Sequence, residues 1–422
     1  MLLLFLLGVA LEGAFAAVLL LGDLRRSVAW FLPIYGTAFA IYLTALKVAW
    51  DEERPKVVQM VLALAILFRL TLLLGQPTLS PDVYRYLWEG RIQAHGFNPY
   101  LEAPHSEKLR PLRDEVYERV EYKELPAIYP PLMELCFRAL AWPSTSLFKT
   151  RVFFLLCDLG VLWILFLLLR RRGLPPGRVL VYAWSPLVLI EFVLTGHNDS
   201  LPLFLLLLSV YAFDGGWAIP SALCFSGAVG AKYFALFIAP GLAAGKKAWA
   251  LIFLPLVLGL VYWPFAAAGP SLWITAKEYL SRWRFNDSLF GLVFWYTQYL
   301  QRSHKIVLLI FLAYVLYLFW KKADLEKGLI LTMGAYFLLT PVLHPWYVTW
   351  IVPFLAFHPY RGWLLFTGTV ILAYGTFLSS NPQPGEWTEI SALKWLEYLP
   401  VYGLLIADYV GRICRRGTET QS

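Results

Sequence analysis

A single carboxylate heads the stretch of this chain best suited to chemistry. In SPDVYRYLWEGRIQAHGFNPY, Asp82 follows Ser80 and Pro81, residues that suit the cap and first position of a helix, while Gly96 stops it and Asn98-Pro99 makes a turn. A helix over about 81–95 places Asp82, Arg85, Glu89 and Gln93 on one face and turns Val83, Tyr86, Leu87 and Ala94 toward lipid or other helices, which predicts a helix lying on the membrane. Taken alone, Asp82 reads either as a first-turn carboxylate favoured by the helix dipole or as a general base. Three further polar clusters fall at expected outer ends of apolar runs: Thr195-Gly196-His197-Asn198-Asp199, Ala231-Lys232-Tyr233 and Leu343-His344-Pro345-Trp346-Tyr347. Each by itself is more often an ordinary helix end at the interface. At one common level with Asp82, they offer a carboxylate, cations and hydrogen-bond donors around one outward cavity, the set a sugar-phosphate site needs.

Other chemistries lack their residues. No G-x-x-x-x-G-K-[ST] loop and no carboxylate pair suited to a nucleotide diphosphate is present, and Cys136, Cys157, Cys224 and Cys414 have no C-x-x-C spacing, so neither a disulfide framework nor a metal site is expected. Glu12 and Arg69 stand inside apolar runs, where an ionisable group is a functional candidate by default, although snorkelling or pairing with each other or with neighbouring polar groups accounts for both equally well. The segment Trp283-Arg284-Phe285-Asn286-Asp287-Ser288 reads either as a turn touching an acceptor sugar or as a helix cap by Asn286 or Asp287.

The elements that must position these residues are transmembrane helices. The 422 residues are 59% hydrophobic and only 15% charged, with a mean hydropathy of +0.60, more than a water-exposed surface tolerates. Apolar runs recur from end to end, with spans expected near 2–21, 27–49, 57–75, 152–169, 179–195, 200–213, 217–231, 233–244, 248–268, 304–320, 328–343, 346–358, 361–378 and 396–411, or about 12–14 in all. The first run lacks a basic leader and cleavage site and is read as retained. The net charge of +8 lies in short runs between spans, so it reports topology and no nucleic-acid partner is expected. Placing Arg54/Lys56, Arg170/Arg171/Arg172/Arg178, Lys246/Lys247, Lys321/Lys322/Lys327 and Arg412/Arg415/Arg416 in the cytoplasm puts both termini inside and leaves only Arg25 and Arg26 on the wrong side. Outside then lie a first loop of about 76–151, a second of about 269–303 and a shorter one of 379–395. The first holds ten acidic and ten basic residues with helix-like periodicity, far more than a simple connection needs. A second amphipathic stretch, Ile128-Tyr129-Pro130-Pro131-Leu132 to Trp142, reads as another surface helix or as a Pro-initiated span. No repeat or linker divides residues 1–422, so one domain is expected: an all-α polytopic bundle with amphipathic helices in its first outer loop.

The helix DVYRYLWEGR, the turn Asn98-Pro99-Tyr100, the segment Tyr129-Pro130-Pro131-Leu132 and the clusters around His197 and His344 resemble, in this order, the GT-C superfamily of polyprenyl-phosphate-sugar-dependent glycosyltransferases. Within it they are most similar to polyprenol-phosphate-mannose-dependent mannosyltransferases, including those of phosphatidylinositol mannoside synthesis, and more distantly to GPI mannosyltransferases. The resemblance covers about residues 60–360. It implies a GT-C-like fold, Asp82 as catalytic base, and His344 near the phosphate of a polyprenyl-phosphate sugar donor. The substrate-binding set expected from cluster and resemblance together is Arg85, Tyr86, Glu89, Tyr129, His197, Asn198, Asp199, Lys232, His344, Trp346 and Tyr347. Val83 stands where the superfamily carries a second carboxylate, so no metal and no cofactor is expected. The function implied is inverting transfer of a hexose, mannose by resemblance, to a hydroxyl of a glycolipid or glycan acceptor on the outer face of a prokaryotic plasma membrane, with membrane lipids as surroundings. A lipid or sugar transporter or flippase is the alternative, against which stands the absence of internal symmetry.

Overall fold

A segment that crosses hydrocarbon must satisfy its backbone internally, and the elements of this chain are accordingly helices. The computed structural model describes residues 1–239, 242, 248–321, 324–378 and 388–419, with backbone alone at 238 and 412–419. In order these are α1 (Leu2–Leu20), α2 (Val28–Ala49), α3 (Pro55–Leu73), α4 (Asp82–Ala94), α5 (Glu115–Glu118), α6 (Pro131–Ala141), α7 (Leu147–Arg171), α8 (Leu180–Ala183), α9 (Pro186–Val188), α10 (Ser200–Asp214), α11 (Ala218–Ala231), α12 (Phe253–Tyr262), α13 (Ile274–Arg282), α14 (Leu289–Thr297), α15 (Leu300–Trp320), α16 (Leu325–Leu339), α17 (Pro345–Val348), α18 (Arg361–Thr369) and α19 (Ser391–Glu419), joined by several 3-10 turns. Lys246, Lys247, Lys322, residues 379–387 of the third outer loop and the side chains of Arg412, Cys414, Arg415 and Arg416 lie outside the described residues.

Among the described residues, six helical stretches are long and apolar enough to cross a membrane: α1, α2, α3, α7, Ala248–Arg282 and α15. A seventh is the pair Pro176–Ala183 and Pro186–Leu194, bent by 46°. The expectation of about 12–14 spans is larger because it counted apolar runs, and many of those runs form shorter pieces. α10 and α11 have 15 and 14 residues, about 22 Å at 1.5 Å per residue against a core of about 30 Å, and Thr349–Ala356 and Val370–Leu378 wind as 3-10 turns.

One apolar core runs through α1, α2, α3, α7, α10 and the helices around Trp350 and Phe366. Buried polar tips in it find backbone acceptors: Tyr42 Oη donates to Val181 O at 2.8 Å and Trp184 Nε1 to Val61 O at 2.9 Å. Arg69 does not meet Glu12. Its guanidinium grips Asp158 at 2.6 and 3.2 Å and the carbonyls of Ala65 and Ala183, while Tyr182 Oη donates to Asp158 at 2.6 Å. Glu12 accepts from Thr71 at 2.5 Å. Both ionisable residues are therefore engaged in packing contacts, away from the end of the bundle that carries Asp82.

There the first loop is folded more tightly than its sequence pattern predicts. Neither the polar nor the apolar face of helix α4 is left free; Val83, Tyr86, Leu87, Trp88, Glu89, Ile92 and Gln93 are all buried. Its partner is α6, which Pro131 opens as the first helical residue. The two cross so closely at Gly90 that a Cβ there would sit 2.3 Å from Phe137 O.

Candidate active site

Asp82 is held at the head of α4 by three contacts made before it. Its own N–H donates to Ser80 Oγ at 3.3 Å, Arg25 Nε donates to Leu79 O at 3.1 Å, and Leu24 N–H donates to Thr78 Oγ1 at 2.9 Å. The carboxylate is 35% exposed and stands 3.8 Å from His197 Nε2. That histidine belongs to the turn between Leu194 and Ser200, where Gly196 adopts φ 76° and Arg151 pins the backbone through Gly75 O, Leu72 O and Val193 O. A Cβ at Gly196 would press on Arg151 Cγ at 3.0 Å, and a left-handed φ suits glycine, so both sterics and backbone select it.

On its inner side His197 Nδ1 lies 2.7 Å from Thr195 Oγ1, 3.1 Å from Glu191 O and 3.2 Å from Glu191 Oε2. Glu191 in turn accepts from Tyr374 Oη at 3.0 and 3.2 Å. Burial disfavours the imidazolium, but the hydrogen bond and charge of Glu191, joined by Asp82 and Asp199, outweigh it and raise the His197 pKa above its ordinary 6.5. The protonated form of His197 is thus favoured beside Asp82, while His197 and Asp199 are themselves buried.

Lys232, the residue that ends α11, is 17% exposed and pairs with Asp199 Oδ1 at 2.6 Å. The same oxygen accepts from Trp350 Nε1 at 2.6 Å, and Asn198 Oδ1 lies 3.4 Å from the ammonium. The Lys232 ammonium also sits 5.6 Å from the Tyr347 ring centroid. Tyr347 Oη meets Tyr279 Oη at 2.9 Å. His344 stacks on Trp346 with centroids 4.3 Å apart and planes at 3°, and Trp346 stacks on His197 at 4.1 Å. Burial, then the charges of His197 and Lys232, lower the His344 pKa to about 3, so this ring is neutral and acts through hydrogen bonding.

Behind Asp82, Tyr86 stacks on Phe137 at 4.8 Å and meets Tyr129 edge-on at 5.3 Å. Burial and then the charges of Asp82 and Asp199 push its hydroxyl well above the usual phenol range, so it remains a neutral donor beside both carboxylates. Arg85 and Glu89 are placed elsewhere. Arg85 donates to Glu89 at 2.6 Å and to the carbonyls of Tyr122, Leu125 and Pro126, which braces the first loop. Glu89 faces Glu134, whose carboxyl is held well above its usual range by burial and by the Glu89 charge; Gln93 Nε2 donates to Glu134 at 2.8 Å.

Asp82, Tyr86, Tyr129, His197, Asn198, Asp199, Lys232, His344, Trp346 and Tyr347 are therefore brought together, and Arg85 and Glu89 form the wall behind them. Glu191, Tyr374 and Tyr279 were not singled out from sequence. For Glu191 the signal was present, since a lone carboxylate inside the run 179–195 deserves the same attention as Glu12. The segment around Asn286 neither caps α14 nor lies open; Asn286 and Asp287 are buried. His197 Nε2, Asn198 Nδ2 and Asp199 Oδ2 are buried with no hydrogen-bond partner within the protein, an expensive arrangement in three successive residues that a polar substrate would relieve. The carboxylates and histidine of Asp324, Glu326 and His358, close enough together to hold an ion, sit at the other end of α16, where Arg172 already binds Glu326 at 2.6 Å.

Comparison with known proteins assigns these features to a family. A family model described as alpha-(1->6)-mannopyranosyltransferase, N-terminal domain, matches residues 9–260, and one described as MptB C-terminal domain matches residues 290–392. No curated protein and no solved structure matches.

Proposed function

The chain belongs to the alpha-(1->6)-mannopyranosyltransferase family and is a membrane mannosyltransferase; we propose that it transfers mannose with inversion from a polyprenyl-phosphate mannose to a hydroxyl of a glycolipid or glycan on the outer face of the plasma membrane. The family's description makes the 6-hydroxyl of an acceptor sugar the natural nucleophile. The observation that supports the reading most is the meeting of Asp82, the most solvent-reaching carboxylate of the cluster, with His197 Nε2 at 3.8 Å, in a cluster that also holds the Lys232 ammonium. Asp82 takes the hydroxyl proton as the oxygen attacks the anomeric carbon. The bond to the bridging phosphate oxygen breaks on the opposite side, and the released phosphate gathers the charge. Lys232 and the neutral N–H of His344 stabilise that charge, while Tyr86, Asn198 and Asp199 order the sugar hydroxyls.

The test uses purified protein in nanodiscs with labelled polyprenyl-phosphate mannose and an α-mannoside acceptor. Transfer is expected with wild type, and Asp82→Asn is expected to lose about 10² to 10⁴ in rate, the usual size of the general-base contribution. Transfer from GDP-mannose alone, or an Asp82→Asn rate above a tenth of wild type, overturns the reading.

A further inference from the structure

The segment Trp283–Ser288 is joined on one side to the candidate site and on the other to the last helix. On the site side, Phe285 N–H donates to Pro341 O at 3.0 Å and Leu343 N–H donates to Phe285 O at 2.9 Å, a two-bonded parallel bridge. The Phe285 ring stacks on His344 with centroids 5.1 Å apart. His344 then stacks on Trp346 and Trp346 on His197, which faces Asp82. Four rings in series thus run from this strap to the carboxylate.

On the other side the strap is bonded to the start of α19 and the residues just before it. Asn286, in the left-handed region at φ 51°, donates its side-chain N–H to Glu397 at 2.8 Å, its backbone N–H to the Glu389 carboxylate, and accepts Tyr398 Oη at 2.7 Å. Asp287 is held by Arg284 at 2.6 Å and by Lys394 at 2.7 Å, and Lys394 reaches Glu389 at 2.7 Å. Asn286, Asp287 and Glu397 are all buried. A buried, charge-assisted network of this kind has one low-energy arrangement and leaves costly orphans in any other, so it fixes where Phe285 lies.

We propose that Asn286 is a positioning residue for mannosyl transfer: clamped by Glu397 of the last helix, it sets Phe285 and, through the stack His344–Trp346–His197, the orientation of the rings that face the reacting atoms. The inference rests on the reading of His344 as the group at the departing phosphate. Its role is to hold geometry, and a displacement of about 1 Å at a reacting centre can cost up to 10²-fold in rate.

Asn286→Gly is the informative variant, since glycine accepts the left-handed backbone without strain and removes only the bond to Glu397. Expected is a fall in kcat of about tenfold with an unchanged donor KM, measured per mole of monodisperse protein. Glu397→Ala should reproduce it, whereas Glu397→Gln, which keeps the accepting oxygen, should behave as wild type. The kcat against pH profile supplies the readout that a merely structural role does not move. A smaller folded fraction scales the whole profile, whereas a displaced stack moves the alkaline limb set by His197 among Glu191, Asp82 and Asp199. In a His344→Ala background, Asn286→Gly should change kcat less than about twofold if its effect passes through that ring. A wild-type kcat and profile in Asn286→Gly overturns the inference, as does a profile that only scales; His344→Ala at the wild-type rate instead overturns the leaving-group reading, so the two failures are read from different variants.

Discussion

In the proposed mechanism the chemistry turns on Asp82 and His197, and their surroundings give it a pH signature. Folding raises the His197 pKa, so the native state holds this proton more tightly than the unfolded chain does. That contribution to stability is full below the ordinary value of 6.5 and is lost as pH rises through the raised folded value. The same titration removes the cation facing Asp82, so kcat/KM should decline on an alkaline limb that His197→Gln abolishes, with a residual rate roughly tenfold or more below wild type; an unchanged limb in that variant would assign it to another group. Lys232 and His344 need different variants. Lys232→Ala leaves Asp199 buried without its cationic partner, with Trp350 Nε1 as its remaining donor, which costs about 3–5 kcal/mol and confounds fold with activity, so Lys232→Met should be read together with Asp199→Asn. His344 carries no charge to lose. His344→Ala should therefore lower kcat at nearly constant donor affinity, and weaker affinity at constant kcat would mean that it merely holds the phosphate.

Among the elements, the α4–α6 crossing carries the proposed base, and it depends on one missing methyl group. A Cβ at Gly90 would meet Phe137 O at 2.3 Å, Phe137 C at 2.8 Å and Ala141 Cβ at 3.3 Å. These are largely backbone atoms that cannot turn aside. Gly90→Ala should then cost about 1–3 kcal/mol by overpacking, seen as a lower thermal midpoint in detergent together with reduced transfer as Asp82 shifts; wild-type values of both would show that the helices part freely. The crossing also marks how far sequence reading reaches. Ser80, Pro81 and Gly96 predicted the ends of α4 to within a residue, because caps and stops act locally. Local pattern put Glu89 and Gln93 on an open polar face, yet both are buried against Glu134, forty-odd residues on. That partnership is tertiary, and no periodicity contains it. The motifs around His197, Lys232 and His344 were legible because each is a polar group interrupting an apolar run. Glu191 and Tyr374 behind them lie inside such runs and show their meaning only once the helices are packed.

The whole molecule separates two polar ends. Helix α7 runs from Leu147 to Arg171, about 37 Å at 1.5 Å per residue, and α10 and α16 run beside the same core. At one end Arg172 binds Asp214 and Glu326, each at 2.6 Å, and Gly177 N–H donates to Glu52 O. At the other end Asp199 immediately precedes α10 and α16 leads into His344, in the cluster of Asp82 and Lys232. Arg25 and Arg26, the two basic residues on the wrong side of the expected topology, belong to this second end. Arg25 pairs with Glu121 at 3.1 Å and Arg26 with Asp23 at 3.4 Å, and as two basic residues they are outnumbered by those of the basic loops assigned to the first end. The proposed orientation puts Asp82 outside, where nucleotide sugars made in the cytoplasm would not reach it and a lipid-linked donor would. Two exposed lysines test this directly, Lys108 of the first loop and Lys321 at the end of α15. In a chain whose Cys136, Cys157, Cys224 and Cys414 have been replaced, Lys108→Cys should react in intact cells with a membrane-impermeant thiol reagent, and Lys321→Cys only after permeabilisation. The reverse pattern would turn the site toward the cytoplasm, remove the need for a polyprenyl carrier, and overturn the proposed donor together with the orientation.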